Sequence, residues 1–167
     1  MEMLVQAILH KEELTRKQIE SACDDYFMFY HSGSFRRFSF ELEDDSCWKI
    51  QMVSVGKLKS VIGYMSVNID RDSKVVDGFG IINFTKKLNL IFAIDLIEFL
   101  RYLRDVCKAS KFDFSAFVGG APELMYKRFI KKHGGNVVGT YIADFRLLDG
   151  KLYDRTLFEI MRKDMKF

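Results

Sequence analysis

The hydrophobic and polar positions of the chain switch between two periods. Residues 3 to 9, Met-Leu-Val-Gln-Ala-Ile-Leu, form an apolar run suited to a first strand. Thr15-Arg16-Lys17-Gln18 then has the form of a capping box, in which the Thr hydroxyl takes an orphan amide and the Gln side chain reaches back. Ile19, Ala22, Cys23, Tyr26 and Tyr30 follow at helical spacing, so a helix is expected to bury that face until Gly33 ends it. Phe38, Phe40 and Leu42 alternate with Arg37, Ser39 and Glu41, which predicts extended chain, with a short helix before it left open. Alternation over 48–55, 60–69 and 75–84, broken by Gly56-Lys57 and Asp70-Arg71-Asp72-Ser73, predicts an antiparallel meander.

From Leu88 to Lys108 the period becomes helical, with Phe92, Leu96, Phe99, Leu100 and Leu103 inward and Asp95, Glu98 and Asp105 outward. Phe112 to Val118 reads as a strand. Gly119-Gly120-Ala121-Pro122 opens a further helix to about His133, because proline's missing amide costs nothing in a first turn. Gly134-Gly135 stops it. Two β-rich segments, 136–148 and 151–161, then flank Asp149-Gly150, a hairpin turn whose residues tolerate positive φ. No repeat or linker interrupts this order, and one domain over 1–167 is expected.

Composition narrows the function classes. The chain is 49% hydrophobic and 29% charged, the balance of a soluble globular protein. Its net charge of +3 is too small for a duplex-binding surface, so no nucleic-acid partner is expected. The longest apolar stretch, Leu88 to Leu103, is broken by Asp95, Glu98 and Arg101, and no secretory start is evident, which points to a cytoplasmic protein without a membrane span. Cys23, Cys47 and Cys107 lack metal or disulfide spacing and read as buried free thiols. His10, His31 and His133 have no Ser or Cys partner at motif spacing, so neither a hydrolase triad nor a metal site is suggested.

The run Tyr126-Lys127-Arg128-Phe129-Ile130-Lys131-Lys132-His133-Gly134-Gly135-Asn136-Val137-Val138-Gly139 resembles the helix, glycine turn and strand of the GCN5-related N-acetyltransferases (GNAT). Asp149-Gly150-Lys151-Leu152-Tyr153-Asp154, ahead of Leu157-Phe158-Glu159-Ile160, is similar to the last hairpin of that family, and the order of elements agrees over nearly the whole chain. The resemblance implies an α/β (α+β) fold: a mixed, mostly antiparallel sheet of about seven strands flanked by helices, with a splay between the strands at 75–84 and 112–118. It also implies acetyl-CoA as co-substrate. Ile81, Ile82 and Asn83 would offer free backbone groups to the pantetheine arm, facing Phe117 and Gly119 across the splay.

In this family the donor pyrophosphate lies on a loop of pattern Arg/Gln-x-x-Gly-x-Gly/Ala at a helix start, where glycine permits close approach and the helix terminus favours an anion. The matching frame here is Lys86-Lys87-Leu88-Asn89-Leu90-Ile91. Lys86 and Lys87 supply charge, Asn89 can adopt the left-handed backbone, and Ile91 departs from the pattern. Two adjacent lysines are equally a solvated surface pair. Tyr126 is similar to the tyrosine that protonates the leaving thiolate, but lies one turn before the family position, which Ile130 holds; packing on the sheet is the other reading. Asp77 is the only carboxylate inside its strand, as base or as a solvent-side residue, and Lys127, Arg128, Lys131 and Lys132 make a basic helix face.

Two functions follow from these readings. One is an N-acyltransferase passing an acetyl group from acetyl-CoA to a primary amine, with Tyr126 as acid. The other is a protein that keeps the fold in a binding or structural role, such as a phage virion component, having lost the phosphate loop.

Overall fold

The computed structural model describes residues 4–31, 42 and 48–167. Gly33, Cys47 and the alternating residues 37–41 lie outside that set. The three expected meander segments form β2 (Lys49–Val55), β3 (Val61–Ile69) and β4 (Val75–Asn83), each antiparallel to its neighbour, with the short β1 (Leu4–Gln6) added outside β2. Next come α2 (Leu90–Asp105), β5 (Lys111–Phe117), α3 (Ala121–His133), β6 (Asn136–Arg146) and β7 (Leu152–Met161). The last hairpin turns where Gly150 takes φ +80° and its amide donates to Leu147 O at 2.9 Å. One seven-stranded sheet results, in the order β1-β2-β3-β4-β5-β7-β6, antiparallel except where β4 meets β5.

Helix α2 buries Phe92, Phe99, Leu100 and Leu103 on Met65, Val67 and Val76 of the sheet, and α3 joins this core through Ile130 against Phe158 and Ile160. Gly63 makes the approach of α2 possible, because a Cβ there would stand 2.1 Å from the Phe92 ring. A second, smaller cluster packs Ala7 and Leu14 on Val53, Val61 and Tyr64. Among the described residues no helix is long and apolar enough to cross a membrane.

The N-terminal third departs from expectation. The chain leaves β1 through a 3-10 turn at Ala7–His10 and enters α1 (Lys11–Ala22) directly, so the helix starts before Thr15 and the capping box is not used. Inside the helix Thr15 has no orphan amide to cap, and Gln18 is buried instead. The buried face is Leu14, Gln18, Ser21 and Ala22, while Ile19, Cys23 and Tyr26 are exposed. Tyr26 and Tyr30 belong to a separate 3-10 turn, Asp25–Tyr30, capped by the Asp24 side chain. Cys23 is thus an exposed free thiol, not a buried one. Asp95 also reverses: it is only 4% exposed and accepts a hydrogen bond from the buried Ser54 hydroxyl. Desolvation holds the Asp95 carboxyl above its usual range.

Candidate active site

The site begins with a defect in β4. Ser66 pairs with Gly80 and Asn68 with Asp77, so Gly78 and Phe79 together face Val67. This is a β-bulge, and Gly78 supplies the positive φ of +61° it needs. The extra residue bends β4 away from β5. The two strands pair only at Val75↔Lys111 and Val76↔Phe112, whereas β5 stays paired with β7 along Lys111 to Phe117. The expected splay is therefore present, and its cause is the bulge.

A cavity of about 360 Å³ fills the gap. Ile81 and Phe117 face each other across it, Met125 and Tyr126 close one side from α3, and Phe29 and Tyr30 close the end. The turn that carries Phe29 and Tyr30 is anchored at both edges of the gap. Tyr26 donates to Lys86 O at 3.1 Å on the β4 side, and Phe29 lies against Gly120 and, at 5.3 Å between ring centres, Tyr153 on the β5 side. Gly78, Phe79, Ser115 and Arg155 also line a second cavity of about 510 Å³ that reaches Asn68, Asp77 and Asp113. The cleft is thus open toward two entrances, one beside α3 and one beside two carboxylates.

Tyr126 packs edge-on against Phe114 at 4.9 Å and Phe158 at 5.9 Å. Burial pushes its phenol well above the usual range, and the nearby Tyr30 adds to this. Among the described residues none hydrogen-bonds its hydroxyl. The group is therefore a protonated donor without a structural commitment. The start of α3 is held by Glu123, 5% exposed, which accepts from Gly119 N at 3.1 Å, Thr156 Oγ1 at 3.0 Å and Lys127 Nζ at 2.7 Å. Desolvation pushes the Glu123 carboxyl up, but the Lys127, Gly119 and Thr156 hydrogen bonds outweigh it and hold it below the usual range.

The loop after β4 is occupied by its own residues. Asn89 Oδ1 caps α2, accepting from Ile91 N at 3.0 Å and Phe92 N at 3.2 Å, the amides a phosphate would use. The Lys86 ammonium is paired with Asp24 and lies 5.6 Å from the ring centres of both Tyr26 and Phe27. Asn83 closes the loop, donating to Lys87 O at 2.8 Å and accepting from Thr85 N at 3.0 Å. Leu90 is 70% exposed and Ile91 half-buried. Of the residues singled out in the sequence, the fold brings Ile81, Phe117 and Tyr126 together at the cleft. Ile82 is buried beside it, Gly119 turns its amide to Glu123, and the 83–91 group lies beyond the cleft lining.

Sequence reasoning missed Gly78, Phe29, Tyr30 and Glu123. Gly78 had a readable signal, since two glycines inside an alternating strand, Gly78 and Gly80, mark a bulge. Phe29 and Tyr30 had none, because each depends on a contact distant in the chain, and the burial of Glu123 rests on Thr156, 33 residues away.

No protein-family model matches the sequence, and no curated protein matches it. Solved structures match its fold. Spermidine/spermine N-acetyltransferase SpeG from Vibrio cholerae, in complex with manganese ions, gives a TM-score of 0.59 at 19% identity over 71% of this chain and 68% of that one. A single-site mutant of the same organism's spermidine N-acetyltransferase gives 0.59 at 17%, over 71% and 69%. A T. thermophilus protein described as a candidate acetyltransferase gives 0.55 at 18%, over 70% of this chain and 60% of that one. The chain has the GNAT fold in a divergent sequence.

Proposed function

We propose that the protein is an N-acyltransferase that takes an acetyl group from acetyl-CoA and passes it to a primary amine. The observation that carries this reading is the cleft itself: β4 leaves β5 after two paired positions, and a half-buried phenol with no hydrogen-bond partner among the described residues faces the gap. An extended donor arm fits such an edge as an added strand, with the β4 backbone near Ile81 and Ile82 as its hydrogen-bond partner. The acceptor amine enters from the second opening, where Asp77 and Asp113 favour a cation. Asp113 is already paired with Lys111 at 2.9 Å, so exposed Asp77 is the carboxylate assigned to deprotonate the incoming ammonium.

The amine nitrogen attacks the thioester carbonyl, the C–N bond forms, and the C–S bond breaks with its electron pair leaving on sulfur. A thiol titrates near about 8.5, well below a phenol raised above about 10. Full transfer of the Tyr126 proton to the thiolate is therefore uphill. Tyr126 acts mainly by donating a hydrogen bond to the departing sulfur, while the proton lost by the amine finally neutralises it. Release of free CoA thiol in the presence of a panel of primary amines tests this. Tyr126→Phe should slow turnover by about tenfold to a hundredfold with acetyl-CoA affinity unchanged. Equal rates for the two proteins would remove Tyr126 from the reaction.

A second reading, a protein that keeps the fold for binding alone, is favoured by one observation: Asn89 occupies both amides that a pyrophosphate would need. Asn89→Gly separates the two readings. Glycine at a cap costs only a few tenths of a kcal/mol, and it frees both amides. Acetyl-CoA affinity in calorimetry should rise about tenfold, two recovered hydrogen bonds to an anion being ample for that. An unchanged affinity would mean that phosphates do not reach this helix.

A further inference from the structure

We propose that β6 is the surface by which two copies of this chain associate, strand against strand about a two-fold axis. β6 ends the sheet order, and among the described residues no strand lies beyond it. It is eleven residues long and exposed throughout, save for a half-buried Gly139. Val137 and Tyr141 lie on opposite faces, because they pair with Phe158 and Arg155 of β7. With Val138 and Ile142, each of them is 50% exposed or more. Helix α3 packs on β5 and β7, through Tyr126 on Phe114 and Ile130 on Phe158 and Ile160, and leaves these four side chains open. A free edge of this kind is ordinarily covered, charged or interrupted by proline. Residues 136–143, Asn-Val-Val-Gly-Thr-Tyr-Ile-Ala, hold no charged side chain and no proline, in a chain that is 29% charged. Bulges at Val138 and between Tyr141 and Phe145 twist the strand but put no charge on it.

Length and charge identify the occupant as a second copy. The opposite edge of the sheet, β1, has three described residues, so head-to-tail growth from β6 onto β1 would leave most of β6 bare. Of the two edges, only β6 matches β6 in length. Two such strands meeting antiparallel about a two-fold axis bring residues near the axis against their own counterparts. A charge there would face its like, which is destabilising across a strand pair, whereas Thr140, near the middle of the uncharged run, would face a second threonine, a favourable pair. The association uses the long edge of each copy and therefore closes at two. Val138 lines the second cavity and Phe145 the cleft, so the partner copy adds a wall beside both openings.

Sedimentation equilibrium of the full chain tests this without acetyl-CoA, so its outcome is independent of the catalytic reading. The wild type should sediment at twice the chain mass of 19.5 kDa in the micromolar range. Ile142→Lys, at a position 75% exposed in the single copy, should keep the wild-type circular dichroism and weaken the dimer about tenfold or more, because it brings like charges to the contact. Leu124→Lys, equally exposed to solvent but on α3, should leave the dimer unchanged. Amide exchange over residues 140–142 should slow as wild-type concentration rises, and should not do so in Ile142→Lys. A wild type that stays at 19.5 kDa into the high micromolar range overturns the proposal and leaves β6 for a strand of a different protein. A dimer that Ile142→Lys leaves intact, one that Leu124→Lys weakens as much, or open-ended association beyond two copies also overturns it.

Discussion

Glu123→Leu is expected to lower stability by about 2–4 kcal/mol, through orphaned donors rather than lost packing. The wild-type carboxylate satisfies the buried Thr156 hydroxyl and the Gly119 amide at the edge of the interior, and leucine takes that acceptor from both. Lys127, about half exposed, recovers its hydration and adds little. For a chain of this length the melting temperature should fall by roughly 5 to 15 °C. Glu123→Gln, which keeps one acceptor oxygen, should cost less than half as much. The sign of the pH dependence follows from the depressed carboxyl. Its contribution is complete above the ordinary value of 4.5 and is lost as pH falls through the lower folded-state value. Calorimetric melting of wild type and Glu123→Leu should therefore show a gap that is wide at pH 7 and narrows in acid; a constant gap would mean that the carboxylate charge contributes nothing.

Gly78→Val should have the second large effect, on stability and on the cleft together. A Cβ at Gly78 would lie 2.3 Å from Asn68 Nδ2, but Asn68 is exposed and can swing aside. Backbone conformation decides instead. At φ +61° a β-branched residue is strained, by about 2–3 kcal/mol. The variant relieves that strain by shifting β4 toward β5, which narrows the cleft. Gly78→Asn, whose side chain tolerates the left-handed region, should retain most of the stability. Equal melting temperatures for the valine and asparagine variants would show that the bulge is not held by backbone strain.

The sheet was legible because its strands obey the period of two. The segments 48–55, 60–69 and 75–84 match β2, β3 and β4 to within a residue, and the Asp149-Gly150 turn lies where its φ preferences put it. The splay was expected from resemblance, yet its physical origin, Gly78, stands in the sequence as a glycine inside an apolar alternation. Asp95 was illegible, because its partner Ser54 is 41 residues away and helical periodicity places a carboxylate outward by default. Thr15 misled because a capping box has meaning only where a helix begins, and the preceding 3-10 turn had already started one. At Asn89 the family frame hid a plain local signal. Asn followed by an apolar helix is a cap, and here the cap takes the amides that the frame assigns to phosphate.

The central claim is that the cleft made by the Gly78 bulge binds an acyl-CoA donor along β4. Titrating the wild-type chain with acetyl-CoA in the calorimeter, with Gly78→Val alongside, tests it most directly. The account predicts saturable one-to-one binding to the wild type and at least a tenfold loss in the variant, since the edge that holds the arm is disturbed. Absence of binding to the wild type at millimolar acetyl-CoA would contradict it.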